Sequence, residues 1–393
     1  MKKLIKRIIR TGLTLLYRIM SYVLPVKSNV IVFEAYTGRN YSGNVRAIYE
    51  NMVKKGLDNK YKLVWSMQNP EVIIPGNVTI VKRTRLKYLY YMAVAKVWIS
   101  DSRMPLWLRK RKKCKFIQTW HGTPLKQLAL DMKQVNMAES GGLDKFRASY
   151  KKNSVMWDYL ISQNSFSTAI FRSCFAYDKD ILEIGYPRND VLISSNKEAD
   201  IIELKKKYDL PLDKKIILYA PTWRDDQYYG KDSYKFNTPM EFDKMRDCLG
   251  EKYCLIVKLH HLISDSVDWK AYEGFIYDCN GCQDIAELFL ISDMLITDYS
   301  SVMFDYSILK RPIIFFTYDL EHYKNNLHDF YFDFLGTAPG PVVETTKDLI
   351  EAIDCYDADS WKELYDAFNR TYNHADCGNA SDMVVELIES FNR

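Results

Sequence analysis

The chain has 393 residues, 47% of them hydrophobic and 27% charged, which is enough apolar material for a sizeable core and excludes a disordered chain. Length alone suggests about two or three domains. The 55 Lys and Arg against 50 Asp and Glu leave a net charge of +5, too dilute to argue for nucleic acid, and the eight scattered cysteines lack the density of a disulfide scaffold, as expected of a reducing setting.

Residues 1–26 open with Lys2, Lys3, Lys6, Arg7 and Arg10, and Arg18 interrupts the apolar stretch that follows. That leaves no run near the roughly 20 apolar residues a spanning helix needs, and no small-x-small cleavage site marks a secretory signal. Leu4, Ile5, Ile8, Ile9, Leu16, Ile19, Met20 and Val23 recur at helical spacing with most bases off the stripe. This is the pattern of an amphipathic helix lying on an anionic membrane surface, and its plainer alternative is a helix packed on its own domain.

From residue 27 onward, short β-rich apolar runs alternate with turns and helical patterns. Strands are predicted at 29–34, 61–66, 78–82, 96–100, 115–120, 159–162 and 181–184, the alternation of a parallel α/β sheet. Between the fourth and fifth runs lies a basic stretch from Arg103 to Lys115 that includes Trp107, suited to a membrane interface or a solvated loop. The rhythm lapses near 131–158, read as an insertion. Ser194, Ser195 and Asn196 break the chain, and a second series follows at 215–220, 253–259, 274–277, 294–297 and 312–317. The domains are therefore 27–195 and 196–393, the second ending in helices after Ala358. Cys279 and Cys282 flank Asn280-Gly281, read as a turn with two bystander thiols.

Ligands of open α/β sheets sit beyond the carboxyl ends of the strands, so the polar residues there carry the chemistry. After 115–120 comes His121-Gly122-Thr123, an imidazole on a turn whose glycine admits a ligand to the backbone. His121 is the candidate general base, against the commoner fate of a histidine satisfying loop carbonyls. After 215–220 stand Thr222 and Arg224, a hydroxyl and a guanidinium suited to phosphate oxygens, although Arg224 has Asp225 and Asp226 as ready partners. His260 follows 253–259 and would stabilise developing phosphate charge unless it is a core histidine. Asp298, Ser300 and Ser301 precede a helix whose N-terminus favours an anion, or which the serines merely cap. Arg188 and Asn189 end the first domain and face the cleft, where an inter-domain salt bridge would explain Arg188 equally well. No acidic pair has the context of a metal site, so a metal-independent reaction is expected.

The strings TWHGTPLK (119–126), GYPRND (185–190), YAPTWRDD (219–226), KLHHLIS (258–264) and ITDYSSVMFDYSILKRP (296–312) resemble the CDP-glycerol glycerophosphotransferase family, whose members build teichoic acids. The likeness runs from about residue 28 to 350; Lys258-Leu259 departs from the Arg-Met common in polymerases of this type. The resemblance implies a GT-B-like pair of Rossmann-type domains facing a central cleft, with the second holding the cytidine nucleotide. It also implies peripheral attachment to the cytoplasmic face of the membrane. CDP-glycerol would be the donor, with no cofactor, and a lipid-linked teichoic acid the acceptor. His121 and His260 fall on the family's catalytic histidines, and Ser300 and Ser301 on its TDYSS hydroxyls. Long polymerases carry an additional N-terminal region, so a priming or short-chain enzyme fits the length. The rivals are the same chemistry with CDP-ribitol and, more distantly, a non-catalytic membrane-binding protein.

Overall fold

The computed structural model describes residues 2–133, 142–222, 228–230, 233–234, 238–259, 268–320 and 330–392. The first sheet contains β1 (Lys27–Glu34), β2 (Lys62–Met67), β3 (Val78–Lys82), β4 (Ala95–Ser100), β5 (Lys115–Gln118), β6 (Tyr159–Ser162) and β7 (Asp180–Glu183). Its order is β3-β2-β1-β4-β5-β6-β7, and every pairing is parallel. The second sheet contains β8 (Lys215–Tyr219), β11 (Tyr253–Val257), β12 (Ile276–Asp278), β13 (Met294–Thr297), β14 (Ile313–Phe316) and β15 (Val342–Val343). Its order is β12-β11-β8-β13-β14-β15, again wholly parallel. Between β8 and β11 lies a short antiparallel hairpin of β9 (Tyr228–Gly230) and β10 (Ser233–Tyr234), which the apolar pattern did not reveal.

The runs are continuous rather than alternating because helices cover both faces of each sheet. Val30, Ile31, Val32 and Phe33 are 0–3% exposed, and Ile216, Ile217, Leu218 and Tyr219 no more than 2%. Each such side chain contributes about 1.5–3 kcal/mol by leaving water.

Helix α1 (Lys2–Val23) meets the fold differently from the expected single stripe. Leu13, Leu16, Tyr17, Met20 and Leu24 pack into the first domain's core beside Tyr88, Leu89 and Met92. The Tyr17 hydroxyl donates to the Arg109 carbonyl at 2.7 Å. Ile8, Leu15, Ile19 and Tyr22, on the opposite side, are 52–91% exposed. The apolar residues thus form two faces, because Leu13 and Tyr17 complete a second stripe with Leu16 and Met20. Leu4 and Ile5 have side chains outside the described residues. No described helix is long and apolar enough to cross a membrane.

The C-terminal helices divide between the domains. Tyr365, Phe368 and Tyr372 of Ala358–Tyr372 join the core of the second sheet. The final helix, Ala380–Ser390, returns to the first domain, where it packs against α2 (Gly43–Lys54), and its Ala380, Val384, Val385 and Ile388 join the apolar cluster that holds Ile31, Phe33 and Trp65. Chain position had assigned it to the second domain; its apolar face matches the first. The crossing segment runs so close to Gly185, at φ +78°, that a Cβ there would lie 2.6 Å from the Ala375 carbonyl oxygen. Of the insertion near 131–158, residues 134–141 lie outside the described residues, and Leu143–Ser154 forms a helix.

Candidate active site

Each sheet has one point where strand order reverses, between β1 and β4 in the first and between β8 and β13 in the second. The loops leaving these strands form the crevice where such sheets take their ligands.

In the first domain the crevice is organised by Asp101, the residue after β4. Its Oδ1 accepts the Tyr36 N–H at 2.8 Å and the Ser102 hydroxyl at 2.5 Å. Its carbonyl oxygen lies 3.1 Å from Nδ1 of His121. A carbonyl only accepts, so Nδ1 carries the proton in this contact and Nε2 presents its lone pair. Trp120 stacks on the imidazole at 4.4 Å, and Tyr36 stands tilted at 6.0 Å. The residue is exposed. Crowding by the surrounding protein lowers its pKa to about 4; the Asp101 carbonyl opposes that shift and the Arg188 cation adds to it. At neutral pH the imidazole is uncharged and able to accept a proton. Burial pushes the Asp101 carboxyl up to about 7, against the bonds from Ser102 and Tyr36.

The loop bearing His121 is held from several sides. The Asn44 amide donates to the carbonyls of Thr119 and Trp120 at 3.2 and 3.1 Å, and its oxygen accepts the Arg188 N–H at 3.1 Å. The Arg188 guanidinium donates to the His121 carbonyl at 2.8 Å and pairs with Asp305 of the second domain. Asn189 bonds Asp305 and Asp376, both at 3.0 Å. A Cβ on Gly122 would meet the Ser301 hydroxyl at 3.1 Å, so the two loops nearly touch across the crevice. The close approach that requires this glycine is to the facing loop.

Several expected ligand residues therefore act as supports. Thr123 is 2% exposed, and its hydroxyl is shared with Gln163 at 2.5 Å, Asn164 at 3.2 Å and Ser167 at 3.3 Å. Asn189 is likewise buried, and Arg188 forms the inter-domain ion pair that was its alternative explanation. Asp298, 1% exposed, accepts the Thr222 N–H at 2.8 Å and ties the ends of β8 and β13 together. The Ser300 hydroxyl accepts the Val302 N–H at 3.4 Å at the start of the next helix, whereas Ser301, its N-cap, makes no side-chain cap bond and faces Gly122. Arg224 and His260 lie outside the described residues. Tyr36, Asn44, Asp101 and Asp305 were missed, although Tyr36 and Asp101 both stand just past strand ends and that rule alone would have found them.

Cys279 and Cys282 bracket a turn closed by the Cys282 N–H on the Cys279 carbonyl at 3.0 Å, and Lys258 caps it through the Asn280 and Cys282 carbonyls at 2.8 and 2.6 Å. Both thiols are free and buried. Among the described residues no group of three His, Cys, Asp or Glu is placed to hold a metal ion.

Two parallel α/β domains joined across a crevice, with a neutral histidine on one side and a serine loop facing it, define a GT-B-type group transferase. The sequence model of CDP-Glycerol:Poly(glycerophosphate) glycerophosphotransferase matches residues 16–390, and the chain belongs to that family. A teichoic acid poly(glycerol phosphate) polymerase of Bacillus spizizenii is 42% identical over 381 residues, covering 95% of this chain and 96% of the relative. A teichoic acid glycerol-phosphate transferase of Staphylococcus aureus is 37% identical over 393 residues, covering 98% and 99%. The solved wall teichoic acid polymerase TagF, as a histidine variant soaked with CDPG, superposes with a TM-score of 0.90 at 41% identity, covering 96% of this chain and 92% of that one. Since the Bacillus spizizenii polymerase is matched over nearly its whole length, chain length does not mark a priming enzyme.

Proposed function

We propose that the chain transfers glycerol phosphate from CDP-glycerol to a hydroxyl of a membrane-associated teichoic acid acceptor, releasing CMP. The observation that carries this reading is the uncharged His121, whose Nδ1 is bound to the Asp101 carbonyl and leaves Nε2 as the proton acceptor, on a loop that faces Ser301 across the crevice. The acceptor oxygen attacks the glycerol-bearing phosphorus and its proton passes to Nε2. The bond from phosphorus to the CMP oxygen breaks, and CMP leaves with the electron pair. Catalysis then rests on positioning and on stabilising charge at the phosphoryl oxygens. Ser301, Ser300 and Thr222 line the donor side in this reading, and His260 and Arg224, outside the described residues, keep the phosphate-binding roles that their motifs imply. The test is CMP release from CDP-glycerol and CDP-ribitol in parallel, with lipid-linked acceptors and excess chelator. Release from CDP-glycerol with chelator present is expected; no release, or preference for CDP-ribitol, overturns the reading.

The same reading places the enzyme peripherally on the cytoplasmic face of the membrane, through the outer side of α1. Ile8, Leu15, Ile19 and Tyr22 form an apolar strip there. Arg109, Lys112 and Lys113 are exposed near the helix's docking site, whereas Arg111 is spent on the Leu24 and Ala93 carbonyls. Replacing the four apolar residues by Ser is expected to release the protein from anionic vesicles and leave its thermal midpoint unchanged, since the packed face is untouched. Residual binding should fall with salt, because each nearby base adds about 1 kcal/mol of attraction. Vesicle sedimentation decides: undiminished binding removes α1 as the anchor.

A further inference from the structure

Outside the crevice, a cavity of about 500 Å³ opens between α1 and the turn leading from β3 into helix α3 (Leu86–Val94). This is the size of a small-molecule site. Its two walls differ in chemistry. Ile9 and Leu13 of α1, with Leu86, form an apolar wall; Lys82, Arg83 and Arg85 form a basic one, and no acid lines the cavity. Lys82 and Arg85 are exposed and have no side-chain partner among the described residues. Arg83 is anchored from behind by the buried Glu34, at 3.0 Å, which also takes the Ser66 hydroxyl at 2.6 Å. Between the bases sits Thr84, held at φ +60°, a left-handed conformation that is strained for a β-branched residue, in a turn closed by the Arg85 N–H on the Lys82 carbonyl at 3.2 Å. Arg85 is also the N-cap of α3 and makes no side-chain bond to the helix, so the positive end of α3 adds to the same field.

The cavity is one loop away from His121. Gln68, in its lining, donates its backbone N–H to the Gly38 carbonyl at 2.6 Å and its side-chain amide to the Thr37 carbonyl at 3.2 Å. Thr37 follows Tyr36, which stands beside the imidazole. We propose that this cavity binds the phosphate group of the acceptor's lipid anchor, with the basic wall on the phosphate oxygens and the apolar wall along the first carbons of the lipid. A charged head meets Lys82, Arg83 and Arg85, its chain follows α1 toward the outer apolar strip, and the remainder of the acceptor passes Gln68 and Thr37 to reach His121. The proposal rests on the transferase reading above and deepens it by assigning the acceptor's phosphate a site distinct from the donor's.

The probe is dodecyl phosphate, titrated calorimetrically into the full chain below its micellar concentration, with inorganic phosphate and dodecanol as controls. Dodecyl phosphate should bind more tightly than either control, and Lys82→Gln combined with Arg85→Gln should weaken it roughly 10- to 100-fold, the loss of one or two charge-assisted contacts. In the transfer assay the same pair should raise the acceptor KM by a similar factor, the effect falling there and not on kcat or the CDP-glycerol KM. Equal affinity for dodecyl phosphate in variant and unaltered protein overturns the site. A loss of vesicle binding in the variant, with the acceptor KM restored in detergent micelles, also overturns it in favour of a general phospholipid contact. If the unaltered protein releases no CMP, the transferase reading fails, and the titration still decides whether the cavity binds an alkyl phosphate.

Discussion

Replacing His121 by Ala is expected to lower turnover about 10²- to 10⁴-fold, the contribution of a positioned acid-base group, with CDP-glycerol affinity little changed. The reason is positional: the ring is stacked on Trp120, its Nδ1 proton is committed to the Asp101 carbonyl, and Nε2 keeps the lone pair that accepts a proton. Its pKa of about 4, lowered from 6.5, sets the pH profile. The neutral base persists down to that range, so the acid limb should lie well below 6.5, and the Ala variant should lose it. The stability effect has a definite sign. Between pH 4 and 6.5 the unfolded chain binds the proton that the folded ring refuses, so this group's contribution weakens as pH falls through that window and is constant above it. A variant with near-normal turnover, or an acid limb at or above 6.5 that His121→Ala leaves in place, removes His121 from the chemistry.

Asp305→Ala should be the most damaging single change at the domain junction, costing about 3–5 kcal/mol of stability, because it strands the Arg188 cation in a nearly closed environment. Arg188 is 12% and Asp305 5% exposed at the side chain, and Asn189 loses a bond in the same stroke. Asp305→Asn retains an acceptor for Asn189 and should cost less. Denaturant unfolding of both variants measures this, and a loss below about 1 kcal/mol for Ala would show that the pair is solvated. Asp376, on the other side of Asn189, is pushed by burial up to about 7 despite bonds from Gln163, Tyr186 and Asn189. A raised carboxyl stabilises below its unfolded pKa and loses that contribution as pH climbs toward 7, opposite in sign to the histidine.

The strands were legible because buried parallel strands are written as unbroken apolar runs, and Val30 to Phe33 or Ile216 to Tyr219 need no tertiary knowledge to be recognised. His121 was legible for a related reason, since it follows such a run directly. Partnership was not. Helical spacing gathers Ile8, Leu16, Ile19 and Met20 into one band, yet only contact with Tyr88 and Leu89 decides that Leu16 and Met20 turn inward with Tyr17. Thr123 looked like a ligand residue because its hydroxyl sits on a glycine turn, and nothing local foretells that Gln163 and Asn164 would claim it. The same holds for Arg188, whose acid lies 117 residues away, and for the last helix, whose apolar spacing does not name the domain it covers.

That last helix also orders events on the ribosome. The first sheet is fully synthesised once Glu183 has been added, but the apolar flank beside α2 waits for Ala380 to Ser390. Roughly 200 residues separate the two, about 10–40 s of translation at about 5–20 residues per second. Throughout that interval the nascent first domain presents an uncovered apolar flank, the kind of patch that chaperones hold. Interrupting synthesis just before residue 380 should therefore leave the later-made half sound and the earlier-made half prone to aggregate.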